Sequence, residues 1–142
     1  MAQGAAVSGV EEALEAAILA ALAADATVQA ALGDPLRIAD IVSPQPGYPY
    51  LEIVRRQAEP FDSAGCEAWI VTVDLAVISR DEGGALARAA MAHVRSVLRE
   101  AGLSMDGWRC VVLTPVFADA VRQAIGRWRA ILRLRAIVEA ED

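Results

Sequence analysis

The stretch CEAWIVTVDLAVIS, from Cys66 to Ser79, decides how the rest of the chain is read. Trp69, Val71, Val73, Leu75 and Val77 alternate with Glu67, Thr72 and Asp74, the period of two that marks a strand with one buried face. Ile70 and Ile78 interrupt the polar side, so part of the second face is expected to be covered as well. Arg80 to Gly84 then forms a loop, with Asp81 as the cap of a helix over Ala85 to Ala101. Leu86, Ala89 or Ala90, His93 or Val94, and Val97 or Leu98 make its apolar stripe, while Arg88, Arg95 and Arg99 lie off it, and Gly102 closes it.

Upstream of this pair, residues 1–7 read as a short mobile start. Ser8 and Glu11 have the spacing of a capping box, so a helix is predicted from Ser8. Val10, Leu14, Ile18 and Leu22 recur every four residues along it. Asp25 caps a short turn over Ala26 to Leu32, which Gly33 and Pro35 end. Leu36 to Val42 is a short extended piece. Ser43 to Pro49 holds Pro44, Pro46 and Pro49 and is a stiff loop. Tyr50 to Arg56 reads as a strand and Pro60 to Gly65 as a turn.

Downstream, Asp106-Gly107 is a turn signal and Trp108 to Thr114 a strand. Ala118 to Gly126 reads as a connection with one helical turn. Arg127 to Glu139 is the last long strand. Trp128, Ala130, Leu132, Leu134, Ala136 and Val138 point one way; Arg127, Arg129, Ile131, Arg133, Arg135 and Ile137 point the other. The acidic tail from Glu139 to Asp142 is expected to fray. The order is helix, strand, strand, helix, strand, strand. This is an α+β fold, with an antiparallel sheet of about four strands and two helices on one face. The 142 residues are expected to form a single domain spanning 1–142, flexible only at 1–7 and 140–142.

The bulk chemistry narrows the function. With 56% hydrophobic residues the chain can build a core, and some apolar surface is left over for a partner. All 13 basic residues are arginine, the formal charge is -6 and the pI is about 4.8, which argues against a general nucleic-acid binder. Cys66 and Cys110 match no metal-ligand spacing and are read as buried, reduced thiols of an intracellular protein. No secretory signal is evident, and the longest apolar run, Ala16 to Ala24, falls short of the ~18–20 residues of a membrane span. The chain is therefore expected to be soluble, with no membrane partner.

Catalytic signatures are missing. His93, the one histidine, lies in or beside a helical apolar stripe and has no Cys/His cluster near it. No serine sits in a G-x-S-x-G setting. Gly83-Gly84 precedes a helix, but Asp81 and Glu82 stand beside it and no lysine completes a phosphate loop. Asp81 and Glu82 are explained as charges that complement the helix dipole. No catalytic residue, cofactor or metal is assigned, and an enzyme is not expected.

Arg127, Arg129, Arg133 and Arg135 are the most distinctive polar feature, because their odd spacing places them on one strand face. They form either a solvated outer face, with Glu52 or Asp74 as cross-strand partners, or an interface. Direct DNA contact is a third reading. With the stiff loop residues Pro44, Pro46, Tyr48 and Pro49 they make the candidate interface set. Reversing Arg133 and Arg135 to glutamate is expected to weaken assembly and leave the fold intact. Trp69, Trp108 and Trp128 are core residues near strand starts, with an interface role as the alternative.

Several segments together resemble one family. They are the Ala/Leu-rich opening helix with DATVQAALGDPLRI (Asp25 to Ile38), PGYPYLEI (Pro46 to Ile53), WIVTVDLAVISRDEGGALA (Trp69 to Ala87) and RWRAILRLRAIVE (Arg127 to Glu139). In this order they resemble the tail terminators, or tail completion proteins, of long-tailed lambda-like phages and gene transfer agents. VFADAVRQAIG (Val116 to Gly126) matches no pattern of that family. The resemblance implies a non-enzymatic virion protein that assembles in the bacterial cytoplasm and sits at the tail–neck junction. It implies a homohexameric ring that caps the tail tube, stops tube polymerisation and offers the head-neck stopper protein its attachment surface. DNA would pass through the lumen without sequence-specific binding. Two alternatives stand beside it: a head-side stopper or adaptor of the head–tail connector, and a small intracellular ligand-binding or dimerising α+β domain.

Overall fold

The structure, a computed structural model, describes residues 2–41, 43–44, 46–61 and 65–141, with side chains from Gly9 onward. The expectations that fall on Val42, on Gln45 and on the turn at 62–64 lie outside the described residues.

The first helix, α1 (Ala2–Ala23), begins well before Ser8. Ser8 is therefore an interior helical residue and not a cap, and the expected capping box does not set the start. The apolar period holds: Val10, Leu14, Ile18 and Leu22 are all fully buried. Each such side chain contributes roughly 1.5–3 kcal/mol on burial, as an upper bound. Asp25 caps α2 (Ala26–Leu32), its carboxylate accepting the backbone N–H groups of Thr27 and Val28 at 2.9 and 3.1 Å. The Thr27 hydroxyl donates to the same oxygen and is the main reason the Asp25 carboxyl stays below its usual range. Gly33, at φ +98°, ends the helix.

Five strands follow: β1 (Ile38–Ala39), β2 (Tyr50–Pro60), β3 (Ala68–Ser79), β4 (Trp108–Ala124) and β5 (Arg127–Ala140), with α3 (Ala85–Glu100) between β3 and β4. They form one sheet in the order β1-β2-β3-β5-β4. β1 is parallel to β2, and the other neighbours are antiparallel. The α+β class stands, but the architecture is a five-stranded sheet with three helices, not four strands with two.

The core lies between the sheet and the helices. From the strands it takes Val71, Val73, Leu75 and Val77 of β3 and the alternate residues Ala130 to Val138 of β5. The α3 stripe is Ala87, Ala90, Met91, Val94 and Leu98; Leu86, expected inside, is 51% exposed. The helical period runs through Ala87, one position later than the larger side chain suggests. A second, smaller cluster of Tyr50, Ala76 and Ile78 lies on the other face, with Ala39, Tyr48 and Ile131 packed against it. This is the partial covering that Ile70 and Ile78 announced.

The largest correction concerns 116–126. Instead of a helical turn, β4 continues for 17 residues and returns into β5 through Ile125 and Gly126. Three register irregularities interrupt its pairing with β5. Most residues from Val111 onward are exposed on both faces, so the alternation that exposes a half-buried strand to sequence reading is missing. The chain end is also held: Ala140 N–H donates to the Glu67 carbonyl and Glu141 N–H to the Gly107 carbonyl.

The start of β5 braces the entry to α3. Trp128 donates its indole N–H to the Glu82 carbonyl at 2.9 Å, and the Arg88 guanidinium lies 5.5 Å from the ring centre. Gly84, at φ +75°, sits so close that a Cβ there would come 2.5 Å from the indole. Gly84→Ala is expected to cost about 2–4 kcal/mol through strain and overpacking. Gly83→Ala, which meets nothing within 4 Å, should change stability far less. Denaturant unfolding of the two variants checks the contrast.

Candidate assembly surface

β5 lies between β3 and β4 and places its arginines on the sheet face away from the helices, as the alternation predicts. Arg133 is opposite Asp74 in register. Its Nε donates to Asp74 Oδ1 at 2.9 Å and its Nη2 to Asp74 Oδ2 at 3.1 Å, a bidentate pair on a carboxylate that is only 5% exposed. This pair raises the Arg133 pKa above the ordinary arginine value. Phe117 of β4 lies under the same guanidinium at 5.5 Å. Asp74 is thus the cross-strand partner, whereas Glu52 is in register with Ala39 and Ala76 and meets no arginine of β5.

The proline loop and the start of this arginine row meet at one end of the sheet. Arg37 holds the loop from below: its Nε donates to the Pro49 carbonyl at 2.8 Å and its Nη2 to the Ala31 carbonyl at 3.2 Å. Tyr48 and Tyr50 pack with ring centres 5.5 Å apart and planes tilted by 45°, and the Arg80 guanidinium is 5.6 Å from the Tyr48 ring. Arg127 donates to the Tyr50 hydroxyl at 3.2 Å, which is the main cause of its raised pKa. Tyr48 and Pro49 are half-buried, Pro46 likewise, and Pro44 is exposed. Arg127, Arg129, Tyr48 and Pro49 therefore belong to one patch, although the loop and β5 are far apart in the sequence.

The Nε atoms of Arg127 and Arg129 are buried and have no acceptor among the described residues. Arg135, opposite Thr72 and Thr114, is exposed.

The groups considered for chemistry are engaged elsewhere. Asp81 accepts from the Ser79 hydroxyl at 2.6 Å and from the Leu86 N–H at 3.2 Å; the Ser79 bond is the main cause of its lowered pKa. A carboxylate thus already occupies the amino end of α3. His93 is exposed, beside Asp25, Thr27 and Ser96. Cys66 is exposed and not buried as expected, because it precedes β3 and lies outside the sheet. Cys110 is half-buried, and burial pushes its thiol pKa up. Among the described residues no group of three metal-ligating side chains comes together, and no single helix is long and apolar enough to cross a membrane. Sequence reading missed Arg37 and Arg80, whose roles arise from contacts with the loop. It also missed the exposed apolar residues of β4.

The family model described as "Tail completion protein gp17" matches residues 16–139. The chain belongs to the tail completion protein gp17 family. No curated protein matches significantly. Among solved structures, one chain of the "Virion of native gene transfer agent (GTA) particle" superposes with a TM-score of 0.80 at 30% identity. The match covers 91% of this chain and 96% of that one. This tail completion protein is therefore a structural component of a phage or gene-transfer-agent virion, associated with its tail and assembled with other virion proteins. The family match begins within α1, runs through the arginine strand to Glu139 and includes residues 116–126, the stretch that fitted no pattern.

The arginines of β5 are not equivalent. Arg133→Ala strips a buried carboxylate of its partner and is expected to cost about 1–3 kcal/mol, the guanidinium being partly exposed. Arg135→Ala should stay within about 0.5 kcal/mol. Arg133→Glu would set two carboxylates against each other, which corrects the expectation that this reversal leaves the fold intact. Urea unfolding of the two alanine variants separates the roles.

Proposed function

We propose that the chain acts as a single domain that closes into a homohexameric ring at the tail–neck junction. The ring caps the tail tube, stops further addition of tube protein, and presents a surface to the head-neck stopper protein. Assembly takes place in the bacterial cytoplasm, and DNA passes through the lumen without sequence-specific binding. No catalytic step is involved.

The observation that carries this reading is the uncovered sheet face. It holds the row Arg127, Arg129, Arg133 and Arg135 beside the Tyr48–Pro49 corner, which Arg37 and Tyr50 tie in place. Such a surface is suited to a polar partner that supplies carboxylates or carbonyls. Pro44, Pro46, Tyr48 and Pro49 extend it as a pre-shaped loop, which limits the ordering cost of docking. The membership of the family and the likeness to a virion chain support the tail location.

The test is deletion of the gene in a producing strain, with electron microscopy of the particles. Overlong tail tubes without heads are expected. Tails of normal length beside unattached or leaking heads would assign the protein to the head side of the neck. Normal particles would contradict both roles.

A further inference from the structure

The helix layer stops short of the last strand of the sheet. α3 turns Ala87, Ala90, Met91, Val94 and Leu98 into the core. On β4, the side chains on the helix side are Cys110, Leu113, Pro115, Ala118 and Ala120. They lie opposite Val138, Ala136, Leu134, Leu132 and Ala130 of β5, which are all buried in the core, and residues opposite each other share a face. None of the five β4 residues is buried: Pro115 and Ala118 are exposed, and the other three are half-buried. An apolar ledge therefore runs along α3 on the helix side of the sheet.

The flank of α3 beside this ledge is cationic. Arg88 and Arg95 line it next to Ala118 and Ala120, and Arg99 lines it next to Cys110 and Leu113. Residues at i, i+7 and i+11 share one side of a helix, here over roughly 16 Å. All three are exposed, and among the described residues none makes an ion pair. Arg88 rests on the Trp128 ring, while Arg95 and Arg99 are left to solvent. Asp119 is the sole acid among the residues that line the ledge. It lies opposite Ile131 of the outer row and accepts the N–H of Ala120. The chain as a whole carries a net charge of -6, yet this flank has no carboxylate to balance it.

We propose that the ledge seats an acidic amphipathic helix of another virion protein. Its apolar side lies on Leu113, Pro115, Ala118 and Ala120 and extends the helix layer by one member, roughly 8–10 Å from α3. Its carboxylates, spaced by whole helical turns, receive the guanidinium forks of Arg88, Arg95 and Arg99. The small residues of the floor allow the close approach that such packing needs. A phosphate backbone fits less well, because the floor is apolar and Asp119 stands at the rim. This rests on the chain's place in the virion and not on closure of a ring.

Ala118→benzoylphenylalanine is introduced in a producing strain, the particles are irradiated, and the cross-linked peptides are sequenced by mass spectrometry. A link to a virion protein other than this chain is expected, in a segment whose acidic residues recur at helical spacing. Arg95→Glu with Arg99→Glu in the same chain should lower the yield of that link at least about tenfold. Both side chains are exposed, so the fold tolerates these reversals. A link to a second copy of this chain, to DNA, or to a segment without acidic residues would overturn the proposal. So would a yield that the reversals leave unchanged, or particles that contain the chain and give no link. Those outcomes leave the tail role intact, whereas normal particles that lack the unsubstituted chain would overturn the proposed function instead. If the bulky residue keeps the chain out of particles, the two reversals alone decide. Particle yield should then fall at least about tenfold, and selection for recovery should return acid-to-base changes in another virion protein. Unchanged yield, or second-site changes confined to this chain, would overturn the proposal.

Discussion

Val71, Val73, Leu75 and Val77 of β3 lie fully buried beneath α1 and α3, and the packing of that one sheet face constrains everything else. All three helices contribute to this single core. The opposite face has only the small cluster around Tyr50, Ala76 and Ile78. A sheet shielded on one side must solve its second face by polar pairing or by a partner. Here Asp74 and Arg133 supply the pairing at the centre, Arg127 is tied to Tyr50 at one end, and Arg135 is exposed at the other.

The same asymmetry explains the edges. β3 and β5 sit inside the sheet and have neighbours on both sides. Beyond its first residues β4 is largely exposed on both faces, with only Leu113 and Ala120 half-buried. An isolated monomer gains little from such a strand beyond its ladder with β5. In a virion protein the strand acquires a reason, because assembly can cover what folding leaves open.

What was legible in the sequence follows from burial. β3 and β5 alternate cleanly because one face of each packs against helices, and α1 showed its stripe of Val10, Leu14, Ile18 and Leu22 for the same reason. The α2 cap at Asp25 was legible because capping is local. The far half of β4 was not, since nothing buries either face. Leu86 misled by size, while the smaller Ala87 faces the core. Among the candidate residues, the alternation placed the β5 arginines on one face. It could not distinguish Arg133, tied to Asp74, from Arg135, which is exposed. Nor could it bring Tyr48 and Pro49 to Arg127, because Arg37 and Tyr50 make that junction across long stretches of chain.

The central claim is that the sheet surface left bare by folding is the surface used in assembly. A high-resolution electron cryomicroscopy reconstruction of the tail end in intact particles tests it most directly. The account predicts that Phe117, Val121 and the Arg127–Arg129 end of β5 are buried against neighbouring chains, with the exposed side of α3 away from the sheet facing solvent. The account would be contradicted by a reconstruction in which that sheet face and the β4 edge stand in open solvent while the helices make the contacts.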